Sequence, residues 1–210
     1  MTKAQRLQAI YSKLMEIYPD SECSLDHHTD PWRLLVGAIL ATQCTDKRVN
    51  AVTPALFADY PDVFAMAKAT PEDIFPYVHT CGLSNRKPVS IVMSARAIVD
   101  QYQGVVPDTI EELLELHGVG RKIANLVVGD CYGKPAVVVD THAKRLLYRM
   151  GLTDSTNPDR IEMDIRTLLK GQDGSPLCHR LVDHGRAVCT ARNPDCANCG
   201  LQDICKKRLK

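Results

Sequence analysis

The sequence predicts an all-α protein, and three observations carry that prediction. Most of the chain repeats apolar residues at the three-to-four-residue spacing of a helix face. Capping residues and prolines precede several of these segments, as at Asp30-Pro31, where an N-cap is followed by proline at the first helical position. The strand-like run at 136–139 is four residues long, too short to build a sheet.

The individual helices follow from the same spacing. The first alternates charged and apolar residues so that one face is apolar, which is typical of a packed surface helix. The second is almost wholly apolar, and we expect it at the centre of a core. The predicted helices span residues 2–17, 32–40, 47–60, 63–68, 71–79, 87–102, 109–117, 121–132, 141–150, 158–169 and 177–191.

Length and composition bound the class of protein. A chain of 210 residues can form one large or two small domains, and 45% hydrophobic with 24% charged residues excludes a disordered chain. The amino terminus lacks the apolar core of a signal peptide, and no run is long enough to span a membrane. We therefore expect a cytoplasmic protein without a membrane partner, whose nine cysteines are reduced thiols or metal ligands.

The net charge of +1 hides an uneven distribution. Residues 117–149 hold six Lys/Arg and two Asp, and residues 180–210 hold seven Lys/Arg and three Asp, so each stretch carries a net charge of +4. The remainder of the chain is therefore about seven charges negative. Such a distribution favours a polyanionic partner on one side of the molecule, although a solvated charged face would look the same.

Two glycines mark a tight turn between helices. Thr109 and Glu112 form an S/T-x-x-E capping pattern, and the helix they start is broken by Gly118-Val119-Gly120. An apolar helical pattern then resumes, so the turn leads into a fresh helix N-terminus whose N–H groups favour an anion such as phosphate. A G-x-G sequence between helices is also compatible with a simple turn.

Lys122 and Asp140 are the candidate chemical groups next to this turn. Lys122 lies in the first turn of the second helix, and an amine near cationic groups or partly desolvated can lose its proton and act as a nucleophile. Asp140 follows an apolar run and precedes the next helix, which predicts an N-cap. Each residue alone is equally compatible with a solvated lysine or a simple cap.

The carboxy-terminal cysteines provide an independent signal. Cys189, Cys196, Cys199 and Cys205 have the spacing C-x6-C-x2-C-x5-C, and the polar segment around them is too short to fold on apolar burial alone. Zinc is the competing metal for four thiolate ligands. Zinc ribbons, however, usually have two C-x2-C knuckles, whereas this segment has one. The spacing thus favours a metal centre, with an iron–sulfur cluster or zinc as its candidates.

The glycine turn with its lysine, the VVVDTHAKR segment and the cysteine spacing together resemble the endonuclease III family of DNA glycosylases with AP lyase activity. The resemblance implies a helix-hairpin-helix, Lys122 as nucleophile, Asp140 as its carboxylate partner and a [4Fe-4S] cluster on the four cysteines. It also implies a six-helix domain over residues 22–132 and an iron–sulfur domain from residues 1–21 with 133–210, with Lys122 and Asp140 on opposite walls of a cleft.

The same resemblance implies how DNA is engaged. The partner is duplex DNA with a damaged pyrimidine or an abasic site, and we expect a monomer that associates with the nucleoid when bound. Gly118, Val119 and Gly120 grip the backbone, Gln43 fills the gap of an everted base, and Leu83 intercalates, since base chemistry requires unstacking. His142 falls in a matching segment and is expected near the DNA.

Three residues depart from the pattern that is usual in this family. His117 stands where the family usually has proline, and Asn193 and Asp195 reduce the positive charge expected near Arg192.

Three alternative functions are a monofunctional mismatch adenine glycosylase, a non-catalytic helix-hairpin-helix DNA-binding protein, and a metal-sensing or redox regulator. Lys122 and the lack of an additional carboxy-terminal domain argue against the first alternative, and the combination of Lys122, Asp140 and Gln43 disfavours the second. A nicking assay on abasic duplex separates the enzyme from the DNA-binding module.

Overall fold

A computed structural model describes residues 1–83 and 85–209, and over these ranges it contains eleven α-helices, one 3-10 turn and no β-strand. The all-α prediction is therefore confirmed. The helices are α1 (Lys3–Ile17), α2 (Pro31–Leu40), α3 (Asp46–Asp59), α4 (Val63–Lys68), α5 (Pro71–Val78), α6 (Lys87–Tyr102), α7 (Ile110–Leu114), α8 (Arg121–Tyr132), α9 (Thr141–Arg149), α10 (Pro158–Leu169) and α11 (Ser175–Ala187), with the 3-10 turn at His79–Cys81.

The chain divides into two compact units. One unit is Cys23–Tyr132 and contains α2 to α8; the other joins Met1–Glu22 to Gly133–Lys210 and contains α1 and α9 to α11. Where the resemblance implies six helices, the described part of the first unit has seven α-helices, of which α4 and α7 are only six and five residues long. Each unit has its own buried apolar core.

Helix α2 is the centre of the Cys23–Tyr132 unit. The Asp30 side chain accepts a hydrogen bond from Arg33 N at 3.0 Å, and Pro31 occupies the first helical position, as predicted. Eight of its ten residues are buried, and it packs against α3, α6 and α8. Burial of a large apolar side chain stabilises a fold by roughly 1.5–3 kcal/mol, so α2 is a firm support for the loop that follows Leu40.

The second unit is built around packing between helices from both chain ends. Helix α1 buries Leu7, Ile10 and Leu14 and packs on α10 and α11, while α9 also packs on these two helices. The run at 136–139 forms neither a helix nor a strand. Its first carbonyl, that of Ala136, accepts a hydrogen bond from Gly174 N at 2.8 Å. This run leads the chain to the start of α9.

Two predicted helices end three or four residues earlier in the structure, whereas the other predicted bounds agree to within two residues. The helix predicted over 109–117 ends at Leu114, and Thr109 caps it by accepting from Glu112 N at 3.3 Å. The Glu112 carboxylate accepts from the Thr109 hydroxyl, so the reciprocal backbone bond of a capping box is replaced by a side-chain bond. Helix α11 ends at Ala187, before the first cysteine of the carboxy-terminal segment.

Across residues 1–83 and 85–209, no helix combines the length and apolar character needed to cross a lipid bilayer.

Candidate functional site

The Gly118-Val119-Gly120 hairpin is fixed from beneath by α6. Gly118 has φ +78°, and a Cβ at this position would lie 2.4 Å from Ser90 Oγ, so the turn requires glycine here. Val119 is 8% exposed and anchors the hairpin, and its N–H donates to Leu116 O at 3.2 Å. Both flanking glycines are exposed, which leaves the hairpin backbone accessible to a ligand.

His117 provides a second tie between the hairpin and α6. Its Nδ1 lies 3.1 Å from Ser90 Oγ, and its carbonyl accepts a hydrogen bond from Ser94 Oγ at 2.9 Å. These bonds restrain the residue before Gly118, where the family usually has proline. The departure at residue 117 therefore exchanges a stiff ring in the backbone for one side-chain hydrogen bond to a neighbouring helix, since the carbonyl of residue 117 could accept from Ser94 in either case.

Lys122 is the second residue of α8, immediately after the hairpin, and its side chain is exposed. The helix around it is well anchored, since Ala124 N donates to Gly120 O at 3.0 Å and the buried Asn125 side chain donates to Arg121 O at 2.9 Å. Gly120 itself has open space where a Cβ would stand. An accessible amine thus sits on a rigid helix start beside an unobstructed turn.

Asp140 caps α9 as predicted. Its carboxylate accepts from Ala143 N at 2.6 Å, and the side chain is half-buried. One oxygen therefore holds the helix start, which fixes the direction of the carboxylate. Lys122 belongs to the Cys23–Tyr132 unit and Asp140 to the other unit.

Gln43 and Leu83 occupy two loops of the Cys23–Tyr132 unit and share an unusual backbone. Both have positive φ, 54° for Gln43 and 47° for Leu83, a conformation that residues other than glycine seldom adopt. Both are exposed, Leu83 at 43%. The loops touch, because a Cβ at Gly82 would lie 3.3 Å from Gln43 O. The structure thus brings these two predicted DNA-contacting residues onto one surface.

His142 lies in the first turn of α9 and is linked to the cysteine segment through Arg145. The Arg145 guanidinium donates to His142 Nδ1 at 3.2 Å and to the carbonyls of Gly185 and Cys189 at 3.1 and 3.0 Å. Burial lowers the pKa of Arg145. The Arg145 guanidinium therefore restrains both His142 and the backbone at Cys189, where the cysteine segment begins.

The four carboxy-terminal cysteines line one cavity in their unit, together with Arg149, His184 and apolar residues that include Met150 and Leu201. Backbone N–H groups point at two of the sulfurs: Leu201 N lies 3.4 Å from Cys199 Sγ, and Lys207 N lies 3.3 Å from Cys205 Sγ. Burial raises the pKa of the Cys199 and Cys205 thiols, while these N–H groups act in the opposite direction. The segment thus supplies both sulfur ligands and donors that stabilise them.

Two buried polar residues support this cysteine segment. His184 is 1% exposed; its Nε2 lies 3.4 Å from Cys199 Sγ and its Nδ1 lies 3.1 Å from the Tyr18 hydroxyl. Desolvation lowers the pKa of His184, which favours the neutral ring. Arg149 lies 3.5 Å from Cys189 Sγ and donates to the carbonyls of Thr190 and Ala191 at 2.7 and 2.8 Å.

The donor set of this site fits an iron–sulfur cluster. The four thiols surround a shared cavity whose lining also includes apolar residues, and iron–sulfur clusters are held by four cysteine thiolates. Cys189, Cys196, Cys199 and Cys205 are therefore the residues that would hold such a cluster.

Several supporting residues were not found by sequence reasoning. Ser90 and Ser94 lie more than twenty residues before the hairpin and look like ordinary helix serines. Arg149 and His184 could have been found from the sequence, because each is a charged or polar residue among the buried positions of an apolar helix face. A buried polar residue near a cysteine cluster commonly has a partner there.

Comparison with known proteins gives the class. Residues 36–170 match the family model described as HhH-GPD superfamily base excision DNA repair protein, and residues 189–205 match the iron-sulfur binding domain of endonuclease III. The chain therefore belongs to the helix-hairpin-helix superfamily of base excision repair proteins.

Full-length relatives narrow this class. The chain is 46% identical to endonuclease III of Synechocystis sp. over 97% of this chain and 93% of the relative, and 33% identical to that of Escherichia coli K12 over 100% and 99%. It resembles the solved structure of a non-covalent endonuclease III–DNA complex with a TM-score of 0.89, at 33% identity and covering 99% of this chain and 96% of that one. A trapped endonuclease III–DNA covalent intermediate gives the same TM-score at 32% identity, covering 99% and 97%.

This chain is a member of the endonuclease III family. It is a DNA-binding base excision repair enzyme with glycosylase and lyase activities, and its cofactor is a [4Fe-4S] cluster.

Proposed function

We propose that this protein excises oxidised pyrimidines from duplex DNA and nicks the resulting abasic site, with Lys122 as the nucleophile. The observation that carries the proposal is the exposed amine of Lys122 at the start of α8, directly after an accessible glycine hairpin. Hairpin N–H groups and the positive end of α8 would hold a backbone phosphate, which brings a sugar to the amine.

The reaction follows from the chemistry of an amine and an aldehyde-level carbon. The unprotonated Lys122 amine attacks C1′ of the lesion nucleotide, and the damaged base leaves with the bonding electron pair and a proton. Ring opening gives a Schiff base, whose positive nitrogen acidifies the C2′ proton. Loss of that proton expels the 3′ phosphate by β-elimination and breaks the strand.

The other predicted site residues act around this step. The Asp140 carboxylate stabilises the cationic sugar and assists proton transfer, while Gln43 and Leu83 occupy the space that the everted nucleotide leaves. His142 contacts the DNA. Cys189, Cys196, Cys199 and Cys205 hold the [4Fe-4S] cluster, which supplies no catalytic step and organises a segment rich in basic residues.

Borohydride trapping on abasic duplex tests the role of Lys122. Wild-type protein is expected to give a covalent complex, because borohydride reduces the Schiff base to a stable amine. Lys122→Ala should abolish trapping and leave DNA binding largely intact, and Lys68→Ala, which removes an exposed lysine of the same unit, should trap like wild type. Undiminished trapping by Lys122→Ala would assign the nucleophile to another amine.

The lesion class needs a separate measurement. Duplexes carrying thymine glycol, dihydrouracil, an abasic site, an A·8-oxoguanine pair or no lesion should be compared for strand cleavage before and after hot alkali. We expect direct cleavage of the first three. Alkali-dependent cleavage confined to the A·8-oxoguanine duplex would identify a mismatch adenine glycosylase instead.

We further propose that the protein acts as a monomer in the cytoplasm and associates with the nucleoid when bound to DNA. Support comes from the nine cysteines, which form no disulfide among the described residues, and from the uneven charge of the sequence. Light scattering of the protein alone and on an abasic duplex should give one chain per molecule and one chain per lesion. A dimer in either measurement would contradict the monomer.

A further inference from the structure

Lys87 is a buried lysine whose position is not explained by the helix that contains it. It is the first residue of α6 and is 3% exposed. A cation at a helix N-terminus faces the positive end of the helix dipole, and burial of an ammonium is unfavourable unless it is fully partnered. Lys87 therefore does not stabilise the start of α6. Its burial is explained by the groups that its ammonium contacts.

The Lys87 ammonium joins the ends of two other elements. It donates to the carbonyl of Leu40, the last residue of α2, at 2.8 Å, and to the carbonyl of Cys81, the last residue of the 3-10 turn. A cation at the C-terminus of α2 is favourable because that end of the dipole is negative. Gln43 follows Leu40 by three residues, and Leu83 follows Cys81 by two.

The backbone of Lys87 holds one of these loops a second time. Its N–H donates to Leu83 O at 3.3 Å, and the neighbouring Arg86 N–H donates to the same oxygen at 3.0 Å. At Gly82 the Leu83 loop lies against the carbonyl of Gln43. A Cβ on residue 82 would be 3.3 Å from that oxygen. The two loops thus lie against each other, and Lys87 is bonded to the segments that carry both.

Both loops also store an unfavourable backbone conformation. Gln43 and Leu83 have positive φ, and Leu83 keeps 43% of its apolar side chain exposed. Residues held in such conformations persist only where the surrounding contacts determine them, and they concentrate at functional sites. Removal of the Lys87 contacts would let both backbones relax.

We propose that Lys87 is a positioning residue that holds the Gln43 and Leu83 loops in the conformation that enters the DNA stack. Lys87 acts through these loops and does not itself touch DNA. The assignment rests on the DNA-contacting roles proposed above for Gln43 and Leu83. It adds a residue from inside the Cys23–Tyr132 unit to the machinery that opens the duplex.

The test compares duplex with single-stranded abasic DNA, using cluster-loaded protein. Lys87→Met keeps an unbranched side chain that is one atom shorter and removes its charge and donors, so loops that must replace an everted nucleotide should misalign. We expect borohydride trapping on the duplex to slow by about 10- to 100-fold, the range expected for a misplaced site. Trapping on the single strand, which has no stack to open, should remain close to wild type.

Fluorescence supplies a readout that needs no covalent step. A 2-aminopurine opposite the abasic site should brighten when wild-type protein opens the stack and brighten much less with Lys87→Met. Lys68→Met is the matched control, because it removes an exposed lysine of the same unit and should behave as wild type in both assays. Lys87→Gln, which keeps an N–H donor one bond shorter, should fall between Lys87→Met and wild type.

A double-mutant comparison separates positioning from general stability. In a Gln43→Ala, Leu83→Ala background, Lys87→Met should add little further loss on duplex, since it acts through the residues already removed. Equal slowing on duplex and single strand, or losses that simply multiply, would overturn the proposal. If wild type is trapped on neither DNA, the Lys122 assignment fails, and the fluorescence comparison still decides the role of Lys87.

Discussion

Gly118 and Gly120, two residues apart, differ in what requires glycine. Gly118 has a left-handed backbone and no room for a Cβ, because Ser90 Oγ would lie 2.4 Å away. Gly120 has neither restriction, since nothing lies within 4 Å of the position that a Cβ would take there. The fold thus requires glycine at 118, and at 120 a glycine is needed only if another molecule approaches the backbone closely.

Alanine substitutions at these glycines should therefore separate folding from DNA affinity. Gly118→Ala should destabilise the protein by about 1–3 kcal/mol through backbone strain and overpacking. Gly120→Ala should change the melting temperature little and weaken binding to abasic duplex. Thermal melts and fluorescence anisotropy on both variants check this. A Gly120→Ala protein that binds like wild type would remove the hairpin backbone from the DNA interface.

Residue-level prediction from sequence succeeded where the signal is local. Asp30, Thr109 and Asp140 each cap the helix that follows them, because capping is decided within four residues. Ser90 and Lys87 could not be found this way. Ser90 lies 27 residues before His117, and Lys87 lies 47 residues after Leu40, so only the tertiary fold brings each pair together.

At the scale of elements, α9 is the support of the cysteine segment. Arg149, in its last turn, is 7% exposed and donates to the carbonyls of Thr190 and Ala191 through different guanidinium nitrogens. A planar guanidinium presents its N–H donors in a rigid arrangement, whereas an ammonium is a compact charge on a flexible stem. The same group lies 3.5 Å from Cys189 Sγ, so the helix end and the first cysteine are fixed together.

Replacement of Arg149 should loosen the cluster without removing any sulfur. Arg149→Lys keeps the charge but loses the planar set of N–H donors. In the presence of a chelator, the visible iron–sulfur absorption should therefore decay about tenfold faster, which is within the range for residues that support metal ligands. Arg149→Met should lose the cluster faster still. Arg192→Lys, at an exposed arginine of the same segment, is the control. Equal cluster lifetimes in all three variants would show that Arg149 is dispensable.

A second element-level tie fixes the loop between α9 and α10. The Asp154 carboxylate accepts from Lys3 Nζ of α1 and from Arg208 Nη1 near the carboxy terminus, both at 2.6 Å. These hydrogen bonds, that of Lys3 first, lower the pKa of Asp154. The carboxylate therefore links both ends of the chain within one unit.

The stability from this tie should depend on pH in one direction. Because the folded pKa lies below the ordinary value, the contribution is complete above the ordinary aspartate pKa and is lost as the pH falls through the folded pKa. Asp154→Asn should thus lower the melting temperature slightly at neutral pH and not in strong acid. Asp20→Asn, at another exposed aspartate of the unit, should change neither. A deficit that persisted in acid would point to packing instead.

Helices with strong apolar spacing were predicted to the residue, as at α4, α6, α8 and α10. The two ends that differ by three or more residues both lie where the chain enters a segment of another kind. Helix α7 stops at Leu114 because the chain must turn towards the hairpin, and α11 stops at Ala187 because the cysteine segment begins. Helical periodicity carries no information about such segments.

At the scale of the whole molecule, the two units differ in what holds them. Cys23–Tyr132 is built around the buried α2, whereas the other unit also depends on a polar cysteine segment with little apolar core of its own. Metal binding commonly supplies folding free energy to such segments. The carboxy-terminal segment should therefore be the part of the protein most sensitive to loss of the cluster.

Removal of the cluster should unfold the protein locally. After removal, amides of residues 188–209 should exchange with solvent at least about tenfold faster, while those of α2 and α8 keep their protection. Hydrogen exchange measured by mass spectrometry, with Cys196→Ser as a cluster-deficient variant and Cys23→Ser as control, checks this. Uniform loss of protection across both units would mean that the cluster stabilises the entire chain.

The interleaved order of the chain also bears on how the protein is made. Helix α1 is synthesised before its packing partners α10 and α11, which emerge from the ribosome more than 130 residues later. Domains generally fold as their sequence becomes complete, so Cys23–Tyr132 can acquire its structure while α1 is still waiting. The nascent enzyme would thus carry an amphipathic helix without its packing partners until α10 and α11 have been synthesised.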